Sequence, residues 1–163
     1  MSIANIIVCD TGPLISLEKI RDGYGFIRKL YKKIIVPPSV LHEVSLGVCS
    51  SPQEYLRSFK IEDLIETVKP SSAIKVQGIE RLQTGEAETI FLALQFKHPL
   101  LIEETLGRRI ALSAGLKISG VAGQIIKAFK LGILDKIETN RKLEELFSGG
   151  RINQEIFKAL VIP

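Results

Sequence analysis

Hydrophobic positions along the chain fall into short apolar runs that alternate with longer segments of helical spacing. The first run, Ile3 to Cys9, is mostly apolar without clean alternation, the pattern of a strand buried on both faces, and Asp10-Thr11-Gly12-Pro13 ends it sharply. A strand there delivers Asp10 at its carboxyl end. Pro13 suits a first helical turn, and Leu14, Leu17, Glu18 and Ile20 carry a helical period until Arg21-Asp22-Gly23 breaks it. Tyr24 to Tyr31 reads as a second helix. Ile34-Ile35-Val36, closed by Pro37-Pro38, reads as a short β-branched strand. Ser39 to Leu46 follows as a helix, with Val40, Leu41 and Val44 on one side and Glu43 one turn in.

Ser51-Pro52 opens a helix through Phe59, and Ile65 to Val68 reads as an outlying strand before Pro70. Thr84-Gly85 precedes Glu86 to Phe96, where Ala87, Ile90, Phe91 and Leu94 form a strong helical stripe. Leu100-Leu101-Ile102 is a compact strand ending at Glu103-Glu104, and Gly107 to Ala114 returns to helix with Gly115 as its stop. Lys117 to Ser119 is a small strand, Val121 to Leu131 a helix, and Ile137 to Phe147 and Asn153 to Leu160 are amphipathic helices around Gly149-Gly150. Strands alternating with helices in this way predict an α/β layered fold with a mainly parallel sheet and right-handed crossovers. No internal repeat or linker interrupts the pattern. Residues 1–163 are therefore read as one domain, with 137–163 as a C-terminal helical extension.

Composition narrows the class. Of 163 residues, 45% are apolar and 25% charged, which excludes a disordered or low-complexity chain. Lysine and arginine number 22 against 18 acidic residues, a net charge of +4 that permits a nucleic-acid partner without demanding one. Cys9 and Cys49 have no metal spacing, and MSIANIIVCD lacks the features of a signal peptide, so a reducing cytoplasm is the expected setting. Apolar stretches such as IFLAL fall far short of the ~20 residues a membrane-spanning helix needs.

Candidate chemistry is acidic. Asp10 follows the first strand, Glu43 lies on the helix after the second, Glu86 starts a helix, and Glu103 and Glu104 follow a later strand. In parallel α/β sheets, sites gather at the carboxyl ends of strands. Hard cations such as Mg²⁺ and Mn²⁺ take oxygen ligands, and metal-assisted phosphoryl chemistry needs several carboxylates converging in one cleft. A helix-start glutamate such as Glu86 equally complements the helix dipole. Asp10-Thr11-Gly12 is also the tripeptide of aspartic proteases, but those are built from β-strands, whereas here a helix follows at once. A single glycine in the first strand-to-helix turn rejects a dinucleotide fingerprint. His42, although next to Glu43, faces another direction on its helix, and His98 sits in a turn before Pro99. Cys9 reads as a buried thiol and Cys49 as a bystander.

The segments IIVCDTGPLISLEKI, IIVPPSVLHEV, GEAETIFLALQ, LLIEETLGRRIALSAGLKISG and SGGRINQEIF together resemble a PIN-domain protein, of the prokaryotic branch grouped with the toxin nucleases of type II toxin–antitoxin systems. The resemblance covers nearly the whole chain. It implies a PIN-like three-layer fold, Mg²⁺- or Mn²⁺-dependent cleavage of single-stranded RNA, a homodimer, and inhibition by a small antitoxin. Carried over residue by residue, Asp10 matches the first metal-binding acid, Thr11 its supporting hydroxyl, Glu43 the second acid and Glu86 the third. The fourth falls in Glu103-Glu104, with Glu104 matching the spacing after the strand. Relatives place aspartates there, and this departure motivates an alternative: a weak or inactive scaffold that binds RNA or protein. Arg108 and Arg109 are candidates to hold a substrate phosphate, or else a basic pair on a solvated helix face.

Overall fold

A computed structural model describes residues 5–71 and 74–163. Strand β1 (Ile6–Cys9) is followed by helices α1 (Thr11–Lys19) and α2 (Gly23–Ile27), then β2 (Lys33–Val36), α3 (Pro38–Leu46), α4 (Pro52–Ser58) and β3 (Ile65–Thr67). After a 3-10 turn at Ile79–Arg81 come α5 (Thr84–Phe96), β4 (Leu100–Leu101), α6 (Thr105–Ser113) and β5 (Ile118–Ser119). Helices α7 (Val121–Lys130), α8 (Lys136–Ser148) and α9 (Gln154–Leu160) complete the described chain. The strands form one sheet in the order β3-β2-β1-β4-β5, and every pairing is parallel. The expected α/β fold with a central parallel sheet flanked by helices is therefore the observed one.

Side chains alternate across each strand, so the sheet feeds two cores. Ile7, Cys9, Ile34, Val36 and Leu101 face a core completed by α1, α3, α7 and α8, including Leu14, Val40, Ile125, Leu143 and Leu146. Val8, Ile35, Leu100 and Ile102 face the opposite core, closed by Ile90, Leu92 and Ala93 of α5 and by Ile110 and Ala111 of α6. Burial on both faces explains why the strands read as continuous apolar runs. Helices α8 and α9 belong to the first core: Leu143 and Leu146 have no exposed surface, and Phe147 stacks on Phe157 at 5.1 Å.

Several boundaries differ from the sequence reading by a residue or two, α5 among them, which begins at Thr84 rather than Glu86, and the larger differences have local reasons. The second helix ends at Ile27, and the chain to Tyr31 continues as turns closed by Lys29, Leu30 and Tyr31 N–H groups on Phe26 and Ile27 carbonyls. Helix α6 begins at Thr105, ahead of Gly107, because the Glu104 side chain accepts the Gly107 N–H at 2.8 Å and caps it. The turn at Ile79–Arg81 was hidden in a stretch without periodicity. Residues 1–4, where the expected first strand begins, lie outside the described residues.

The chain lays β1, β2 and β3 outward in one direction, then returns to the other side of β1 to lay β4 and β5. The reversal opens a crevice beyond the carboxyl ends of β1 and β4, the position where such sheets bind ligands. Asp10 stands at the end of β1, and Glu103-Glu104 just past the end of β4.

Candidate functional site

A cleft of about 350 Å³ fills that crevice and is lined by Asp10, Thr11, Glu43, Gln83, Glu86, Glu103, Glu104 and Arg151, with Gly12, Ile15 and Gly150. All five acids named from the sequence thus reach one cleft. Asp10 is 5% exposed and makes no ion pair among the described residues. Burial pushes its carboxyl up to about 6; the Thr11 N–H opposes the rise, and repulsion from Glu86, Glu43 and Glu104 adds to it. Burial likewise raises Glu86, with Glu104 and Glu43 contributing. Glu86 also accepts the Gln83 N–H at 3.2 Å, so the helix-capping role and a place in the cleft are held by the same side chain. Glu104 is pulled in the opposite direction by its hydrogen bond from Gly107 N–H, which favours the ionised form.

Glu43 is brought to the cleft by the close approach of α3 and α5. A side chain at Gly85 would place its Cβ 3.3 Å from Val40 Cγ2 and 3.6 Å from Glu43 Oε2, so the glycine in GEAE keeps this close approach uncrowded. Glu88, two residues beyond Glu86, turns away to accept the Ser39 hydroxyl at 2.5 Å.

The adjacent glutamates are separated in function. Glu103 Oε1 accepts the Ser16 hydroxyl at 2.7 Å and lies 3.4 Å from Arg151 Nη2, while Oε2 accepts the Val121 N–H at 3.0 Å. It ties α1, α7 and the α8–α9 loop together. Ser16 and Arg151 were given no role by sequence reasoning, although SGGRINQEIF contains Arg151; a lone arginine between glycines and a helix carries no local signature of where it points.

The two arginines proposed for phosphate contact are both placed elsewhere. Arg108 Nη1 donates to the Ile102 carbonyl at 2.8 Å, and Arg109 lines a separate depression with Arg81, Glu80 and Gln77. Neither lines the acidic cleft. His42 is exposed on α3, and Cys9 is fully buried in β1. A larger cavity, about 870 Å³, lies at the amino-terminal end of the sheet among Ile7, Tyr31, His98, Lys117 and Lys127; no carboxylate among the described residues lines it, so its size does not make it the site of acid chemistry.

Does the donor set suit a divalent cation? Every candidate ligand is an oxygen, which matches Mg²⁺ or Mn²⁺. Thr11 Oγ1 is buried beside Asp10 and has no hydrogen-bond partner among the described residues. Repulsion from neighbouring carboxylates adds to the rise at Asp10 and Glu86, and a cation in the cleft would relieve it; Arg151, the basic side chain described there, is paired with Glu103. Among the described residues, no three Asp, Glu, His or Cys side chains are gathered tightly enough to hold an ion as they stand, and Glu43 and Glu104 are the exposed members of the set. Chemically the set fits.

A family match then decides the identity of the fold. The PIN-domain family model DUF3368 matches residues 6–161. The chain belongs to the PIN-domain family. PIN domains are generally nucleases and typically use divalent metals. Among solved structures, this PIN domain is similar to a PilT N-terminus domain protein from the hyperthermophilic archaeon Sulfolobus solfataricus P2. The identity is 15% and the TM-score 0.50, over 73% of this chain and 89% of that one. No curated protein matches significantly. Among the described residues, no helix is long and apolar enough to cross a membrane.

Proposed function

We propose that the cleft is the active site of a Mg²⁺- or Mn²⁺-dependent endoribonuclease hydrolysing single-stranded RNA, with Asp10, Glu43, Glu86 and Glu104 as the metal-holding set. One observation carries the reading: a buried Asp10 at the switch point of the sheet, raised to about 6, shares its cleft with Glu43, Glu86 and Glu104 and with a Thr11 hydroxyl that has no partner among the described residues, while the one basic side chain described there, Arg151, is paired with Glu103. When bound, the metal supplies Lewis acidity, activating water and offsetting charge on the phosphate.

The residues divide the remaining work. Asp10 is fixed by its strand and its buried setting, so its carboxylate is presented in one geometry. Glu104, kept ionised by the Gly107 N–H, is ready to ligate at neutral pH. Glu86, raised by burial and by Glu104, sits beside that ionised partner, and positive charge entering the cleft would favour its ionised form. Thr11 Oγ1 has a donor and lone pairs to orient a water or Asp10 itself.

In this reading the protein is the toxin of a toxin–antitoxin pair, acting as a homodimer and restrained by a small antitoxin, as the resemblance implies. An inducible-expression growth assay, repeated with co-expression of any short reading frame encoded beside it, tests that role; no growth arrest on expression would count against it. A second reading, an RNA- or protein-binding scaffold with little catalysis, is favoured by the engagement of Glu103 with Arg151, which leaves Glu104 as the one glutamate after β4 facing the other acids. RNA cleavage with Mn²⁺, with and without EDTA, alongside an RNA-binding assay, separates the two: binding without any metal-dependent cleavage sinks the nuclease.

A further inference from the structure

Arg151 is the only basic side chain among the described residues lining the acidic cleft, and three neighbours dictate where its guanidinium lies. Nε donates to Ser16 Oγ at 2.9 Å, and Nη2 donates to the Gly12 carbonyl at 3.0 Å and lies 3.4 Å from Glu103 Oε1. Ser16 in turn donates to Glu103 Oε1, and the Val121 N–H holds the other Glu103 oxygen. Of the five guanidinium donors, those on Nη1 meet no hydrogen-bond partner among the described residues. Gly12 is two residues from Asp10, so the bond to its carbonyl sets the guanidinium at the rim of the acid cluster.

We propose that Arg151 is the phosphate-receiving group of this cleft, donating from Nη1 to a phosphodiester oxygen of the nucleic-acid substrate, and that Glu103 and Ser16 are its positioning residues. The assignment rests on the nuclease reading for the identity of the site, and adds the group that recognises the substrate backbone. A cleft of carboxylates repels a polyanion; one cation held at its edge, with its remaining donors aimed away from its protein partners, gives the backbone an anchor. Arg108 and Arg109 do not supply it, because one is engaged with the Ile102 carbonyl and the other lines a different depression. Glu103 then contributes by fixing the guanidinium plane, which explains two adjacent glutamates with different partners.

The test measures binding of a short labelled single-stranded RNA by fluorescence anisotropy across a salt series, with Ca²⁺ in place of Mn²⁺, and separately Mn²⁺ affinity by calorimetry and cleavage kinetics. For Arg151→Gln the expected results are an RNA affinity about tenfold lower, a salt slope shallower by about 0.7 as for one lost phosphate contact, and unchanged Mn²⁺ affinity. In cleavage, KM rises more than kcat falls, and Arg151→Lys recovers part of the loss. Ser16→Ala keeps the charge but removes one tether, and should retain the wild-type salt slope. The proposal is overturned if Arg151→Gln keeps wild-type affinity and slope, if Ser16→Ala reproduces the Arg151→Gln slope, or if wild type binds no RNA. An Arg151-dependent slope in a protein that never cleaves with Mn²⁺ supports Arg151 and overturns the nuclease reading alone.

Discussion

Glu103 and Glu104 leave the same strand end and take opposite duties: Glu103 lies 3.4 Å from Arg151 and ties α1 to α7, whereas Glu104 caps α6 at 2.8 Å and faces Glu86. The separation follows from the residues that meet each carboxylate, since the two side chains are chemically identical.

Substitution at the pair should therefore give distinct results. Glu104→Gln keeps an oxygen to accept the Gly107 N–H but loses the charge, so Mn²⁺ affinity measured by calorimetry should fall about tenfold while thermal stability changes little. Glu103→Gln should leave Mn²⁺ affinity near wild type and lower stability by about 1–3 kcal/mol, because Arg151 loses its ionic partner. Equal effects on metal affinity from both would contradict the division.

Asp10→Asn should abolish Mn²⁺-dependent cleavage, by at least about a hundredfold, and should stabilise the metal-free protein. A carboxyl with a higher pKa folded than unfolded favours the folded chain at low pH and loses that advantage as pH rises from 3.8 through about 6. Asparagine does not titrate, so the stability gap between variant and wild type should open across that window and reach on the order of 2–3 kcal/mol at neutral pH. Denaturant melts in EDTA at several pH values measure it; parallel profiles for the two proteins would remove Asp10 from the repelling cluster.

Added Mn²⁺ should raise the melting temperature of wild type and leave that of Asp10→Asn unmoved, since an ion that binds only the folded state stabilises it in proportion to the logarithm of its concentration. An equal rise in both would place the binding elsewhere.

The C-terminal helices should prove indispensable to folding. Leu143 and Leu146 are fully buried in the core beneath the sheet, so Leu146→Ala should cost about 2–5 kcal/mol in urea melts, and removal of residues 137–163 should leave a chain that does not unfold cooperatively. A soluble, cooperatively folding truncation would show those helices to be dispensable.

Away from the cleft, Tyr24 and Tyr55 hydroxyls meet at 2.6 Å and Tyr55 donates to Glu18 at 2.5 Å. Tyr55→Phe leaves the buried Tyr24 hydroxyl and the half-buried Glu18 carboxylate each short of a bond and should destabilise by about 1–3 kcal/mol. No loss of stability would show that water satisfies them.

The sequence by itself determined the order of the elements and the position of the acids along it. Unbroken apolar runs such as IIVC and LLI require a sheet covered on both faces, and Pro37-Pro38 and Gly115 punctuate the chain, so local physics was enough to place Asp10 and Glu103-Glu104 at strand ends. Tertiary structure alone decided which side chains share the cleft. Glu103 is drawn to Ser16 and Arg151, residues 87 and 48 positions away, and Arg108 is drawn back to Ile102, because hydrogen bonding and charge compensation act across space once the sheet has brought α1, α7 and the α8–α9 loop together. No spacing rule along the chain encodes those meetings. Arg151 entered the site for that reason, and the Arg108-Arg109 pair fell outside it.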